Sequence, residues 1–582
     1  MQCRTRSSWR PRSKRWQRAV DCSYNWRCIP TGCTGSIKTP THLRRRSLDR
    51  HCLLALSNAR VAALLVPAAR VTPHVSFPHA GHVFSGSHGV ESQLAPRLGA
   101  PVGFLFSTKS GGVCSAVRRL FVTSQEERLH RGLEERHINL MALGATIGVG
   151  LFLGSATAIR AAGPAILLAY IAGGLAIFII MRALGEMAIH NPVAGAFSRY
   201  AQDYLGPLSG YLTGWTYWFM WIVTCMAEIT GVGIYMHMWF PDVPNWIWTF
   251  AALIVMGAVN VIAVKLYGEF EFWFALIKIV TIVLMIAGGG LMIVAGVGNG
   301  GIATGISNLW AHGGFMPNGW SGVVDALPIV MFAYLGVEML GLTAGEARNP
   351  EKSLAKAVNS VFWRVVIFYV GALFVIMSIY PWNQIGTQGS PFVMTFSRLG
   401  IPAAAGIINF VVLTAALSSC NSGIFSTARM LFNLAEQGQA PTRLAAVNRR
   451  GVPVYGVLVS VLLLIVGVVL NYFAPQKVFV WLTSVSTFGA IWTWGVILFA
   501  QLRFRRQVPA ARLAQLALRV PAYPLSSFVA LAFLACVVVL MAFSPDTRVA
   551  LVVGPLWIVA LTVCYYAHQA GRRAPSMSST NA

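Results

Sequence analysis

Three charged side chains fall inside otherwise apolar stretches of this chain: Glu228, Lys278 and Glu338. A charge far from water is costly, so such residues pair with one another, clamp helices together or face a polar path. Two glycine-interrupted segments accompany them. One reads Gly144-Ala-Thr-Ile-Gly-Val-Gly-Leu-Phe-Leu-Gly154, the other Phe332-Ala-Tyr-Leu-Gly336-Val-Glu338-Met-Leu-Gly341. Glycine weakens a helix, and matched interruptions in two apolar segments point to broken helices that hold a ligand near the membrane midplane. Amides at a half-helix N-terminus attract an anion such as a carboxylate, and free carbonyls at the opposed end attract an ammonium. An amino acid carries both groups. For the glycines the alternative is close helix packing; for each charge it is a buried ion pair or a hydrogen-bonded clamp.

The elements that position these residues follow from composition. Of 582 residues, 56% are apolar and 11% charged, with a mean hydropathy of +0.62. A water-solvated globule carries roughly 25% charged residues, so that class is excluded. From Ile138 onward, apolar stretches recur that are long enough to cross a hydrocarbon core of roughly 30 Å. Twelve spans are predicted, at 138–159, 164–185, 207–237, 246–264, 270–296, 323–344, 361–380, 401–432, 452–471, 478–502, 526–544 and 549–568. This makes the body an all-α integral membrane protein. Asp325 and Glu346 mark the two ends of span six. With the N-terminus in the cytoplasm, the inner loops collect 21 Lys and Arg and the outer loops four, namely Arg160, Arg398, Lys477 and Arg548. The positive-inside rule therefore places both termini in the cytoplasm.

Residues 1–125 differ in kind from this body. They hold 19 Lys and Arg against three acidic residues, and six of the ten cysteines, without metal-ligand spacing. Their best apolar run, Leu53–Val66, is short and broken by Arg60, so this arm does not span a bilayer. The expected reading is a disordered extension or an artefact of start-site assignment. No Met lies between Met1 and Met141, and initiation from an alternative codon near Leu120–Val122 would leave residues 1–119 out of the working protein. A peptide from residues 1–110 in the native protein would refute that expectation. Despite Arg44, Arg45 and Arg46, no nucleic acid is expected as a partner. The predicted organisation is this extension, a transmembrane domain at 126–570 and a cytoplasmic tail at 571–582.

Enzyme chemistry lacks its parts. The chain has no GxxxxGK[ST] phosphate loop, no HExxH and no CxxC pair, and no paired nucleophile and base is recognisable. Neither a metal nor a cofactor is expected. Cys225, Cys420, Cys536 and Cys564 sit singly in apolar runs, where a thiol acts as a small hydrophobe.

Several motifs recur here in a familiar order: Arg131-Gly-Leu-Glu-Glu-Arg-His137, Ile147-Gly-Val-Gly-Leu-Phe152, Arg182-Ala-Leu-Gly-Glu-Met187, Gly268-Glu-Phe-Glu-Phe-Trp273, Ala344-Gly-Glu-Ala-Arg-Asn-Pro350, and Asn421-Ser-Gly through Gln437-Gly-Gln-Ala-Pro441. In these, residues 129–570 resemble the amino acid permeases of the amino acid–polyamine–organocation superfamily, bacterial amino acid transporter branch. Ser198-Arg-Tyr-Ala-Gln202 and Tyr380-Pro-Trp-Asn-Gln384 look most like proline-specific permeases, with histidine and threonine permeases also similar.

The resemblance implies a leucine-transporter-like core of two inverted five-helix repeats, broken helices one and six, and two peripheral helices. It implies that Thr146, Ile147, Gly148, Val149 and Gly150 hold the substrate carboxylate. Phe332, Ala333, Tyr334 and Gly336 would supply carbonyls for the ammonium, with Phe332 or Tyr334 as an aromatic gate. Lys278, Glu228 and Glu338 are the expected proton-coupling residues. A lysine at that depth can carry a proton inward, and each charge crossing gains about 2.3 kcal/mol per 100 mV. The expected function is import of a neutral L-amino acid, proline first and then histidine or threonine, by proton symport through alternating access in the bacterial inner membrane. The alternatives are an exchanger without net proton coupling and a receptor that binds without transporting.

Overall fold

The computed structural model describes residues 25–29, 32–36, 146–193, 195–262, 264–343, 350–385, 390–398, 404–448, 451–475 and 477–573. The chain divides into two units, Met1–Leu105 and Phe106–Ala582. In the first, strands Asn25–Ile29 and Gly32–Ser36 pair antiparallel, with Cys28 opposite Cys33. The rest of the 1–125 extension, the Arg131–His137 motif, the start of span one and Glu346 lie outside the described residues.

In the second unit every described regular element is helical. Eight helical stretches are long and apolar enough to cross a membrane. The first, Gly150–His190, carries spans one and two, which turn into one another at Gly163, where φ is +60°. The shorter apolar helices Asn245–Val261, Gly319–Ala333 and Leu525–Leu540 supply spans four, six and eleven, completing the twelve predicted. Span three, Pro207–His237, coincides with its predicted limits. Span five is Val264–Ala295, span eight Ala404–Glu436, span ten Val478–Gln507 and span twelve Arg548–Arg573. Span seven runs from Pro350 to Ile379 through a π-wound segment, Val365–Gly371.

Burial separates a core from a rim. In its most apolar window span three is 83% buried, whereas span twelve is 17% buried. The outer faces carry side chains such as Leu284, Val294, Leu462 and Val563 exposed, as expected where lipid replaces water as the neighbour. Small residues let the inner helices approach: a Cβ on Gly423 of span eight would lie 2.2 Å from Cys225 Sγ of span three, and one on Gly489 of span ten 2.7 Å from Met220 Cβ. Packing is thus the role of these glycines. Cys225 and Cys420 are buried as expected, while Cys536 and Cys564 are exposed.

Glu228, Lys278 and Glu338 are not the whole set of buried charges. The structure adds Glu186 of span two and Glu271 of span five, both fully buried, and Arg429 of span eight. Glu186 lies one residue beyond the predicted end of span two, and helix Ile166–His190 carries it inward. Its carboxylate accepts hydrogen bonds from Gln501 Nε2 at 2.8 Å and Arg505 Nε at 3.1 Å, and it pairs with the Arg505 guanidinium. Span two is thereby clamped to span ten, and removing one partner would strand the other charge.

Candidate substrate and coupling site

Span one enters the described region as non-helical backbone at Thr146–Gly148, and its helix begins at Val149 with a π-wound turn, Gly150–Gly154. The predicted unwound piece, 146–150, is therefore shorter at its far end. Gly150 already belongs to the helix, because the Leu151 and Phe152 amides bond back to the Gly148 carbonyl at 3.3 and 3.4 Å. The Val149 amide points at span three and donates to Glu228 Oε2 at 3.2 Å. A carboxylate thus already stands at the half-helix N-terminus, where the dipole favours negative charge.

Span six breaks later than predicted. Its first half, Gly319–Ala333, keeps Phe332 and Ala333 helical, and the turn runs from Tyr334 to Glu338 before helix Met339–Thr343 resumes. Gly336 has φ +98°, a conformation that glycine adopts without strain. Glu338 explains the shift: its carboxylate accepts the Gly336 amide at 3.2 Å and Trp494 Nε1 of span ten at 3.3 Å. It braces the turn from behind.

The two breaks meet. A Cβ on Gly150 would lie 2.8 Å from Ala333 Cα and 3.0 Å from Phe332 Cδ1, so Phe332 packs directly on span one. The Tyr369 hydroxyl of span seven lies 2.8 Å from the Thr146 carbonyl and 2.9 Å from the Ala333 carbonyl, joining both breaks through one side chain. Tyr334 instead donates to the Tyr170 carbonyl of span two at 2.6 Å and shares an aromatic cluster with Tyr170 and Tyr369. Of the two gate candidates, Phe332 faces span one and Tyr334 is tied to span two.

Lys278 reaches span one from span five. Its ammonium donates to the Ile147 carbonyl at 3.1 Å and to Ser418 Oγ of span eight at 2.9 Å. Ser418 in turn donates to Glu271 Oε1 at 2.8 Å. Thr146, Ile147, Val149, Phe332, Ala333, Tyr334, Glu228, Lys278 and Glu338 are all buried, so the site is closed over its own residues.

Tyr369, Ser418 and Glu271 escape sequence reasoning. Hydroxyls are common along these helices, and the partners of Lys278 lie 131 and 140 residues away. Glu271 had a signal, since it sits inside the predicted fifth span. The motifs that suggested proline lie elsewhere. Ser198 bonds locally to the Gly195 carbonyl at 2.9 Å, Tyr380 donates to the Met394 carbonyl at 2.8 Å, and Trp382 to the His312 carbonyl at 2.8 Å. These residues fasten helix ends and a loop away from the breaks.

A bundle of apolar spans in which the helix of span one begins beside the break in span six, with buried charges converging there, has the architecture of a membrane transporter. The chain belongs to the amino acid permease family, which matches residues 137–574. It is 68% identical over 442 residues to the uncharacterized amino acid permease YtnA of Bacillus subtilis, covering 76% of this chain and 96% of that protein. It is 50% identical over 447 residues to a probable threonine/serine transporter, YbxG, of the same organism, covering 77% and 96%. It is 47% identical over 441 residues to the amino-acid permease AapA, also of that organism, covering 76% and 95%. The protein is a multi-pass bacterial plasma-membrane protein of amino acid transport.

Proposed function

We propose that this permease imports a neutral L-amino acid together with a proton by alternating access. The observation that carries the reading is the convergence of Lys278, Glu228 and Tyr369 on backbone groups of the two breaks. Each of these internal contacts imitates half of a zwitterion. Glu228 offers a carboxylate to the Val149 amide, and Tyr369 offers a donor to the Thr146 and Ala333 carbonyls. A substrate carboxylate and ammonium make the same kinds of bond, so binding exchanges internal partners for external ones and shifts the balance between states. Thr146 to Gly150 take the carboxylate end, Phe332 to Gly336 the ammonium end, and Phe332 closes over the side chain.

The resemblance of Ser198–Gln202 and Tyr380–Gln384 to proline-specific permeases puts proline first among the candidate substrates. The name of the 50% identical relative puts threonine and serine beside it. Competition by all twenty amino acids against labelled proline and labelled threonine, in proteoliposomes, orders these candidates.

Lys278→Met tests the coupling. It keeps the aliphatic stem and removes the proton carrier. Counterflow, which needs no net proton movement, is expected to persist at a reduced rate, while accumulation driven by a pH gradient is lost. An inserted variant that still concentrates substrate with an unchanged pH profile would reject the coupling role. A wild-type protein that exchanges substrate without taking up protons would make it an exchanger.

A further inference from the structure

Glu271 ends the hydrogen-bonded chain that starts at Lys278 and has no role in the proposed function, yet it is a fully buried carboxylate in a membrane bundle. It stands seven residues before Lys278 on the same helix, which places the two on one face and about 10 Å apart along the axis. One hydroxyl joins them. Ser418 Oγ receives a hydrogen bond from Lys278 Nζ at 2.9 Å and gives one to Glu271 Oε1 at 2.8 Å.

The polar row continues beyond Glu271. Asn421 and Ser422 of span eight flank its carboxylate, and Asn260 of span four donates to Asn421 Oδ1 at 2.8 Å. Glu271, Ser418, Asn421, Ser422 and Asn260 are all buried. Each step moves toward the N-terminal end of span five and the C-terminal ends of spans four and eight, which the distribution of Lys and Arg places in the cytoplasm. Two residues beyond Glu271, Glu269 is partly exposed. Among the described residues, the charged neighbours of Lys278 are Glu271 on its own helix and Glu228 from span three; span one offers it the Ile147 carbonyl and span eight the Ser418 hydroxyl. Glu271 has Lys278 as its charged neighbour.

We propose that Glu271 receives the proton from Lys278 through Ser418 and passes it toward the cytoplasm. In the transfer an Nζ–H bond breaks and Ser418 Oγ gains that proton while giving its own to Glu271 Oε1. An ammonium and a carboxylate become an amine and a carboxylic acid, and the serine is restored. The pair is neutral overall before and after, so no net charge is added to the apolar interior. A buried ion pair carries the desolvation cost of two charges offset by their attraction, and the neutral pair carries neither of these large terms, which brings the two arrangements near each other in free energy. The lone pair freed on Lys278 ends its role as a cation at the Ile147 carbonyl, linking proton loss to the break in span one.

This rests on the proton-symport reading, and the experiment separates the two. Wild type, Glu271→Gln and Ser418→Ala are reconstituted in proteoliposomes, and counterflow and pH-gradient-driven accumulation are measured over a range of internal pH. If wild type shows no proton-coupled accumulation, the symport reading fails and the relay with it. If wild type is coupled, Glu271→Gln is expected to lose at least tenfold in accumulation and its dependence on internal pH, while counterflow falls no more than about threefold. Wild-type accumulation and pH profile in Glu271→Gln would overturn the relay. So would parallel loss of counterflow and accumulation in an inserted protein, which is the mark of a structural clamp. Should Glu271→Gln fail to insert, Ser418→Ala decides by the same criteria, since it removes the connecting hydroxyl and leaves both charged residues.

Discussion

Gly148 and Gly150 stand two residues apart at the break in span one, yet a side chain at each would meet a different kind of obstacle. At Gly148 the new Cβ falls 2.4 Å from Glu228 Oε1 and 3.0 Å from Ser419 Oγ, both ends of side chains. At Gly150 it falls 2.8 Å from Ala333 Cα, which is backbone and cannot swing aside. Gly148→Ala should therefore retain a measurable fraction of uptake while displacing Glu228 from the Val149 amide. Gly150→Ala should lose at least ten times more, because the two broken helices must separate. Gly148→Val adds two methyl groups and should abolish uptake with the protein still in the membrane. Surface expression measured beside labelled amino acid uptake checks all three; equal activity in the two alanine variants would contradict this account. The sequence reading already singled out both glycines and the charges Glu228, Lys278 and Glu338, since such residues are conspicuous in apolar stretches. Their partners were hidden. Nothing in the local pattern says that Lys278 meets residues 131 and 140 positions away.

At the scale of elements the spans were legible because a membrane imposes length and hydropathy on each of them. The register of the breaks was less so. A run containing glycine says that a helix weakens, not at which peptide, and in span six the expected break at Phe332 falls two residues before the observed turn at Tyr334. The position is set by side chains that accept or brace the freed backbone: Glu338 holds the Gly336 amide, and Tyr369 reaches the Ala333 and Thr146 carbonyls. Tyr369 belongs to neither broken helix. It has the geometry of a latch between them, and its ring packs on Tyr334 and Tyr170 at centroid distances of 4.9 and 5.7 Å. Tyr369→Phe keeps the ring and deletes the hydroxyl, which leaves buried carbonyls without that donor at a cost of about 1–3 kcal/mol. Because that cost falls on the closed arrangement, the variant should spend more time open. Maximal uptake should drop at least fivefold at unchanged surface expression. Full uptake with wild-type kinetics would show that the latch does not hold the closed state.

For the whole molecule, the direction of the proton path depends on which face looks inward. The C-terminal end of span ten and the segment after it carry Arg503, Arg505, Arg506, Arg512 and Arg519, whereas the segment 299–320 between spans five and six carries no Lys or Arg. Five spans separate the two segments, so they must emerge on opposite sides, and the positive-inside rule assigns the arginine-bearing one to the cytoplasm. Ala311 and Gln515 are exposed positions on these segments. In a background with Cys536, Cys564 and the six cysteines of residues 1–125 changed to serine, Ala311→Cys should react with a membrane-impermeant maleimide on intact cells, and Gln515→Cys only after permeabilisation. Reaction of both in intact cells would mean that one of spans six to ten does not cross. Reaction of Gln515→Cys alone would invert the protein, and Glu271, lying on the N-terminal side of Lys278 in span five, would then face the outside as the entry for protons instead of their exit.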